Sequence, residues 1–317
     1  MTYQRRKFIK QTALVAAAVP FLDVLAAPKK VPKSKPYPIS FFTKPLDKYG
    51  SDFFMDTLKM SGLDGLDLTV RPKGCVLPER VENDLPKIVE MAKQKGITVE
   101  MMTSNITKAD APLAEKVLST AAKNGIRHYR LGYYKYDKAL SVRPSIEKIK
   151  REMQALSELN KSVGIQGGYQ NHSGTWFGAS MWDLAEVLQE IPKAWMSSQF
   201  DIRHAVCEGN KSWITSMQLL ADKIGSLAIK DFTWNIVGGQ SKVKKLPLGE
   251  GIVNFDLFFK TIKTLGIVAP ITLHMEHDLL STEEEGLSLL QQQKILVSKI
   301  KKDVDFIREK LVKHQLN

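Results

Sequence analysis

Three features of the chain predict a single (β/α)8 barrel. Short apolar runs alternate with amphipathic helices from Ile39 onward, which is the pattern of parallel βα units. Eight such runs can be counted, and a barrel of this kind needs about 250 residues, which is what remains of the 317 once the N-terminus is set aside. Several runs also end in charged or imidazole side chains: FDIRHAVCEG at Phe200–Gly209, LAIKDF at Leu227–Phe232 and LHMEHD at Leu273–Asp278, with LPLGEG at Leu246–Gly251 between them. A strand buried along its length and polar only at its C-terminal tip is how such a barrel carries a site.

The expected strands are Ile39–Thr43, Gly65–Val70, Thr98–Thr103, His128–Tyr133, Gly164–Tyr169, Met196–Asp201, Ser226–Asp231 and Ile271–His277. Helices are expected at Pro86–Lys95, Pro112–Asn124, Ser145–Val163, Met181–Ile191, Trp213–Lys223 and Phe255–Leu265. Two of these open on proline, whose missing N–H is harmless in a first turn. Others close on glycine, as at Val163-Gly164 and Leu265-Gly266. The last segment, Glu284–Leu316, reads as a long charged amphipathic helix with a break. An open flavodoxin-like sheet would carry a Gly-rich phosphate loop, and none is visible.

The first residues read as an address. Gln4-Arg5-Arg6-Lys7-Phe8-Ile9-Lys10 precedes an apolar stretch from Thr12 to Leu25 and small residues at Ala26-Ala27. That is a basic region, a short apolar region and a cleavage site, and the paired arginines resemble a twin-arginine export signal. The organisation is therefore a signal peptide over 1–27, a Pro/Lys-rich linker over 28–38 and a barrel over 39–317, in a periplasmic or exported protein handled by twin-arginine export machinery. The formal charge of +12 falls to about +9 without the leader, and much of the rest is spread as single lysines on helix faces or sits in the tail Lys29, Lys30, Lys33 and Lys35. Nucleic-acid binding needs a basic stripe interleaved with aromatics, so no nucleic-acid partner is expected. Cys75 and Cys207 form no metal-type spacing and are expected as separate buried thiols.

Residues two apart on a strand share a face. On the eighth strand Thr272, His274 and Glu276 therefore share one face, and an unpaired carboxylate is too costly beneath helices, so this face looks into the barrel with Glu276 nearer the mouth. The sixth strand delivers Asp201 with Arg203 and His204 in the following turn, a clamp beside a carboxylate; the alternative is a local Asp201–Arg203 bridge. Lys230 on the seventh would be a buried cation near Asp201 and Glu276. Gln170, Asn171 and His172 at the fifth strand's mouth suit a polyhydroxylated ligand. Weaker candidates are Asp67, which could reach the mouth, Glu100, Arg130, Tyr133, Tyr134 and the tryptophans Trp176, Trp182, Trp213 and Trp234, any of which could pack on a sugar ring or belong to the core.

These segments, taken in order, resemble the xylose-isomerase-like TIM-barrel superfamily, commonly described as sugar phosphate isomerases and epimerases. The resemblance implies a carbohydrate substrate and a divalent metal held by a Glu after strand five, an Asp after strand six, a His on strand seven and a Glu after strand eight. Asp201 and Glu276 match two of these positions, as metal ligands and catalytic groups, whereas Gln170 and Ala228 stand where the first Glu and the His belong. A metal would then need a nitrogen from His172 or His204. With Glu276 as the base and Lys230 and Arg203 as cationic groups, the resemblance implies proton abstraction next to a sugar carbonyl. The outcome would be isomerisation or epimerisation, with keto-glycoside β-elimination or a catalytically silent sugar-binding barrel as alternatives. The related DNA-repair endonuclease branch needs a His-rich zinc cluster, and the chain has six His in all, of which His128 and His314 fall outside the mouth.

The export reading has a direct check. Arg5→Lys with Arg6→Lys should leave the protein in the cytoplasmic fraction of fractionated cells, and unchanged export of the double variant would remove it.

Overall fold

The computed structural model describes residues 36–317; the leader and the linker as far as residue 35 lie outside the described residues. Eight parallel strands close into one barrel: β1 (Ile39–Phe42), β2 (Gly65–Thr69), β3 (Thr98–Thr103), β4 (His128–Arg130), β5 (Gln166–Gln170), β6 (Met196–Asp201), β7 (Ile224–Ile229) and β10 (Ile271–Leu273). They neighbour one another in chain order, and β10 closes the ring against β1 through Ile39↔Ile271 and Phe41↔Leu273. The barrel's contacts begin ahead of Ile39, since the Tyr37 hydroxyl donates to the Ile267 carbonyl and Pro38 accepts from Ile271 N–H.

Helices α1 (Ser51–Met60), α2 (Val81–Gln94), α3 (Ala114–Lys123), α4 (Val142–Val163), α5 (Trp182–Leu188), α6 (Ile202–Gly209), α7 (Trp213–Leu220) and α8 (Phe255–Leu265) follow the strands. Their apolar faces cover Ile39, Phe41, Leu66, Tyr129, Tyr169, Phe200, Leu227 and Leu273, all fully buried. Each large aliphatic buried there contributes about 1.5–3 kcal/mol relative to exposure. The two expected proline starts are corrected. α2 begins five residues before Pro86, drawn forward by buried Val81 and Leu85, and Pro112 lies two residues ahead of α3. Gly164 and Gly266 close α4 and α8 in the left-handed region, at φ 79° and 63°.

Strand ends also differ from expectation. The ladder on β10 finishes where His274 N–H donates to the Ile229 carbonyl at 3.0 Å, so Met275 to His277 belong to a mouth loop. β7 stops at Ile229, and the chain continues as an unforeseen hairpin, β8 (Asp231–Val237) and β9 (Gln240–Leu246), turned by Gly238-Gly239 at φ 60° and 75°. Two glycines with positive φ match the tight turn that suits strand twist.

The LPLGEG segment serves this corner. The Asp231 carboxylate accepts N–H groups from Phe232, Gly249, Gly251 and Val253 at 2.8 to 3.2 Å. A Cβ on Gly251 would stand 2.2 Å from Asp231 Oδ1, so only glycine allows this wrap. Asp231 is thus an anchor of the loop. Cys75 and Cys207 are both free thiols.

The C-terminal helical segment breaks as expected, into α9 (Thr282–Glu285) and α10 (Leu289–Lys313), each started by a capping box, Ser281 with Glu284 and Ser288 with Gln291. α10 buries Leu296, Ile300, Val304, Ile307 and Leu311 at helical spacing. No helix among the described residues is long and apolar enough to cross a membrane.

Asp303 is buried on this helix beneath Leu248, whose N–H it accepts at 3.3 Å. Burial pushes its carboxyl up to about 7, while the unfolded chain titrates near 4. The folded state therefore holds the extra proton between those values. This group's contribution is full below about pH 4 and is lost as pH rises through about 7. Asp303→Asn should raise stability by about 1–3 kcal/mol at pH 8 and flatten the melting temperature between pH 4 and 7; an unchanged melting temperature at pH 8 would contradict this.

Candidate active site at the barrel mouth

Asp201 ends β6 and at once caps α6, its Oδ1 accepting His204 N–H at 3.0 Å. Strand therefore passes to helix without a loop, and the carboxylate is pinned at the barrel's C-terminal rim. Lys230 directly follows β7 and points inward. Its Nζ lies 3.0 Å from Asp201 Oδ2 and 2.9 Å from Glu276 Oε1. Lys245 on β9 approaches Glu276 Oε2 at 3.5 Å from the solvent side. The Glu276 side chain is 24% exposed against 5% for Lys230, so Glu276 is the member of the triad that a ligand meets.

These charges set one another's titration. Burial alone would lower the Lys230 ammonium, but Asp201 and Glu276 outweigh it and hold the pKa above its ordinary value. Burial alone would raise the Glu276 carboxyl; the Lys230 charge and His274 outweigh it and hold it well below the usual carboxylate range. The resting state is a charged ammonium clamped between two carboxylates.

Gln170 bridges this triad to a second cation. Its Nε2 donates to Asp201 Oδ2 at 2.6 Å, while its Oε1 accepts from Arg130 Nη1 at 2.9 Å and from the Tyr133 hydroxyl at 2.5 Å. Asn171 exchanges hydrogen bonds with the Asp201 backbone at 2.7 and 3.0 Å. Both its amide atoms are engaged there, so it braces β5 against β6. The Asp201–Arg203 bridge does not form: Arg203 Nη1 instead contacts His204 Nδ1 at 2.7 Å, and its guanidinium lies over the Phe232 ring.

Ser173 N–H also donates to His204 Nδ1 at 3.1 Å, which leaves the His204 proton on Nε2, 3.9 Å from Asp201 Oδ2. Burial, then Lys230 and Arg203, push His204 well below its ordinary value. The His172 ring lies tilted with its centroid 4.0 Å away, is also lowered by burial, and sets Nδ1 2.9 Å from the Ser173 carbonyl. His172 therefore carries its proton on Nδ1 and keeps Nε2 to accept from a hydroxyl.

His274 stacks on Phe42 at 4.4 Å and stands between Asp67 and Glu276, 3.8 Å from each. Neither ring nitrogen has a hydrogen-bond partner. Asp67 does not reach the mouth as expected. It is held inside the barrel by Thr103 and Thr272 hydroxyls, both at 2.9 Å. Glu100 approaches His128 at 4.0 Å instead. Of the tryptophans, Trp176 joins the site's rings, 5.6 Å from Tyr133, whereas Trp213 is core, Trp182 lines an outer groove and Trp234 sits on the hairpin.

Phe42, Arg71 and Lys245 were not anticipated. Arg71 directly follows Val70, the same strand-then-charge pattern that marks strands six to eight, while Lys245 depends on the hairpin. A cleft of about 250 Å³ opens beside Glu276, lined also by Phe42, Lys44, Lys48, Tyr49 and Lys245.

The arrangement does not fit a divalent cation. Asp201 and Glu276 each direct an oxygen at Lys230, Gln170 turns an amide NH₂ toward Asp201, and buried Ala228 offers no donor. No group of three or more His, Cys, Asp or Glu with metal-holding geometry occurs among the described residues.

The chain belongs to the xylose isomerase-like TIM barrel family, which it matches over residues 55–308. It is similar in structure to a xylose isomerase domain protein from Planctomyces limnophilus, at 16% identity over 88% of this chain and 99% of that one, TM-score 0.63. D-psicose 3-epimerase from Clostridium cellulolyticum H10, solved with D-tagatose, is similar at 10% identity over 86% and 99%, TM-score 0.65. The 3-keto-D-glucoside 4-epimerase of E. coli is similar at 11% identity over 81% and 99%, TM-score 0.59. A search of curated proteins finds no match.

Proposed function

We propose that this protein is a carbohydrate-active enzyme of the isomerase/epimerase type, in which Glu276 removes a proton from the carbon next to a sugar carbonyl. The supporting observation is the Lys230 ammonium, held 2.9 Å from a carboxylate that lines an open cleft. In the resting ion pair Glu276 is a poor base. A carbonyl oxygen entering beside Lys230 competes for its N–H, and Glu276 then regains basicity as the ammonium turns to the substrate.

The step balances without an added reagent. The C–H pair becomes a C=C bond, the carbonyl π pair moves onto oxygen, and the proton passes to Glu276. Lys230, still paired with Asp201, offsets the charge that develops on the enolate oxygen. In isomerisation the α-hydroxyl proton passes to the enolate oxygen and the carbon-bound proton returns from Glu276 to the former carbonyl carbon; in elimination the enolate pair re-forms the carbonyl and expels the β-substituent, which leaves with the proton from Glu276. Gln170 cannot hold a proton on the other face, so single-sided transfer is the better match, with a keto-sugar as substrate. Neutral His172, with Nε2 as acceptor, suits a sugar hydroxyl. Lys230 also supplies the positive charge that a divalent metal would otherwise bring to this point.

Export by a twin-arginine signal belongs to the same proposal and rests on Arg5-Arg6 and the apolar stretch after them. A catalytically silent sugar-binding barrel is the second reading, and the tight Lys230 clamp on Glu276 favours it. Deuterium wash-in from solvent over a panel of keto- and aldo-sugars separates the two. Exchange with at least one keto-sugar is expected, falling about 10²–10⁴-fold in a Glu276→Gln variant whose circular dichroism still shows the folded barrel, although its melting temperature drops with the loss of the Lys230 partner. Retained exchange would remove Glu276 as the base, and no exchange with any sugar would favour the silent barrel.

A further inference from the structure

Beside the mouth lies a second cleft of about 700 Å³, lined by Lys44, Asp47, Lys48, Arg71, Lys73 and Asn105. Its cations outnumber what faces them. Asp47 is the one acidic residue in the lining, and its oxygens are taken by the Thr69 hydroxyl at 2.9 Å and the Cys75 thiol at 2.7 Å. Lys48 is paired with Glu285 at 2.6 Å. Among the described residues Arg71, Lys44 and Lys73 have no carboxylate within 4.0 Å, the reach of an ion pair.

Arg71 is the informative member. It is partly buried, and its guanidinium lies 5.6 Å from the Phe42 ring centroid; that of Arg130 lies at the same distance from the same ring. Burial, then the Arg130 charge, pull the Arg71 pKa below its ordinary value. Arg130 spends Nη1 on Gln170 and Tyr133 and keeps a buried Nε without a partner. Two guanidiniums share one ring and neither is in an ion pair; Asp47 and Asp67 offset Arg71 only in part, so the cleft keeps an excess of positive charge at the rim. Lys73 adds to it from a tight turn, in the left-handed region at φ 62° that ordinarily favours glycine.

This cleft is continuous with the reaction site. Lys44 and Lys48 line both it and the cleft that holds Glu276, and the Phe42 ring meets both the Arg71 guanidinium and His274, the neighbour of Glu276. We propose that this cleft binds an anionic group of the substrate, a carboxylate or a phosphate, through the Arg71 fork supported by Lys44 and Lys73. The sugar presented to Glu276 is then a sugar acid or a sugar phosphate. This rests on reading Glu276 and Lys230 as the reaction centre, but its test needs no turnover.

Calorimetric titration of the full chain at low salt with glucose, glucuronate and glucose 6-phosphate reads the subsite directly. One charged sugar should bind at least tenfold more tightly than glucose and weaken as sodium chloride is raised. Tighter glucuronate assigns a carboxylate, and tighter glucose 6-phosphate a phosphate. Arg71→Gln should cost at least tenfold. The exposed pair Lys44→Ala with Lys73→Ala should cost several-fold and guards against an Arg71 variant that fails to fold. Glu276→Gln should leave the preference for a charged sugar in place. Glucose binding as tightly as both charged sugars, or the lysine pair variant keeping full affinity for them, would overturn the subsite. Exchange into a neutral keto-sugar would still stand, so the loss would not reach Glu276.

Discussion

A single buried ammonium organises the mouth of this barrel. Lys230 sits between Asp201 and Glu276 at hydrogen-bonding distance from both, almost wholly out of water. Two carboxylates drawn this close would repel each other without it, and a lysine this buried would shed its proton without them. Removing one partner of such a pair typically costs about 3–5 kcal/mol, because the remaining charge is left buried and unpaired. The three side chains are held together as one unit, delivered by the ends of three adjacent strands, β6, β7 and β10.

The neighbouring residues follow from that unit. With a cation already between the carboxylates, the position on β5 needs a donor to Asp201, and Gln170 provides one at 2.6 Å. A glutamate there would set a third carboxylate against Asp201. Two residues before Lys230, on the same face of β7, Ala228 presents a methyl group. Gln170, Ala228 and Lys230 form one electrostatic arrangement with the two carboxylates. Positive charge continues outward from Arg130 to Arg71, which share the Phe42 ring, and to the lysines that line the cleft beside Glu276.

Much of this was legible in the sequence, because period-two apolar runs with polar tips are the physical requirement of a barrel strand whose end faces solvent. All eight barrel strands were placed that way, and the polar tips after them carry Lys230, His274 and Glu276 to the mouth, although Glu276 stands in a loop beyond the end of β10, where strand parity no longer applies. What escaped depended on context outside the runs. The Asp231–Leu246 hairpin is mostly exposed and polar, so it lacks the apolar signal, although Gly238-Gly239 was a turn marker. Asn171 looked like a ligand-binding amide, yet its partners are backbone groups on the next strand, which no local pattern reveals. Asp67 had the parity of an inward residue, but depth along a barrel axis is set by strand stagger, and sequence does not record it.

The most direct test of the central claim is anomalous diffraction from crystals of the protein grown or soaked in millimolar manganese. No anomalous peak is expected between Asp201 and Glu276, with Lys230 Nζ density about 3 Å from each carboxylate. A manganese peak at that point with the Lys230 side chain displaced would contradict it.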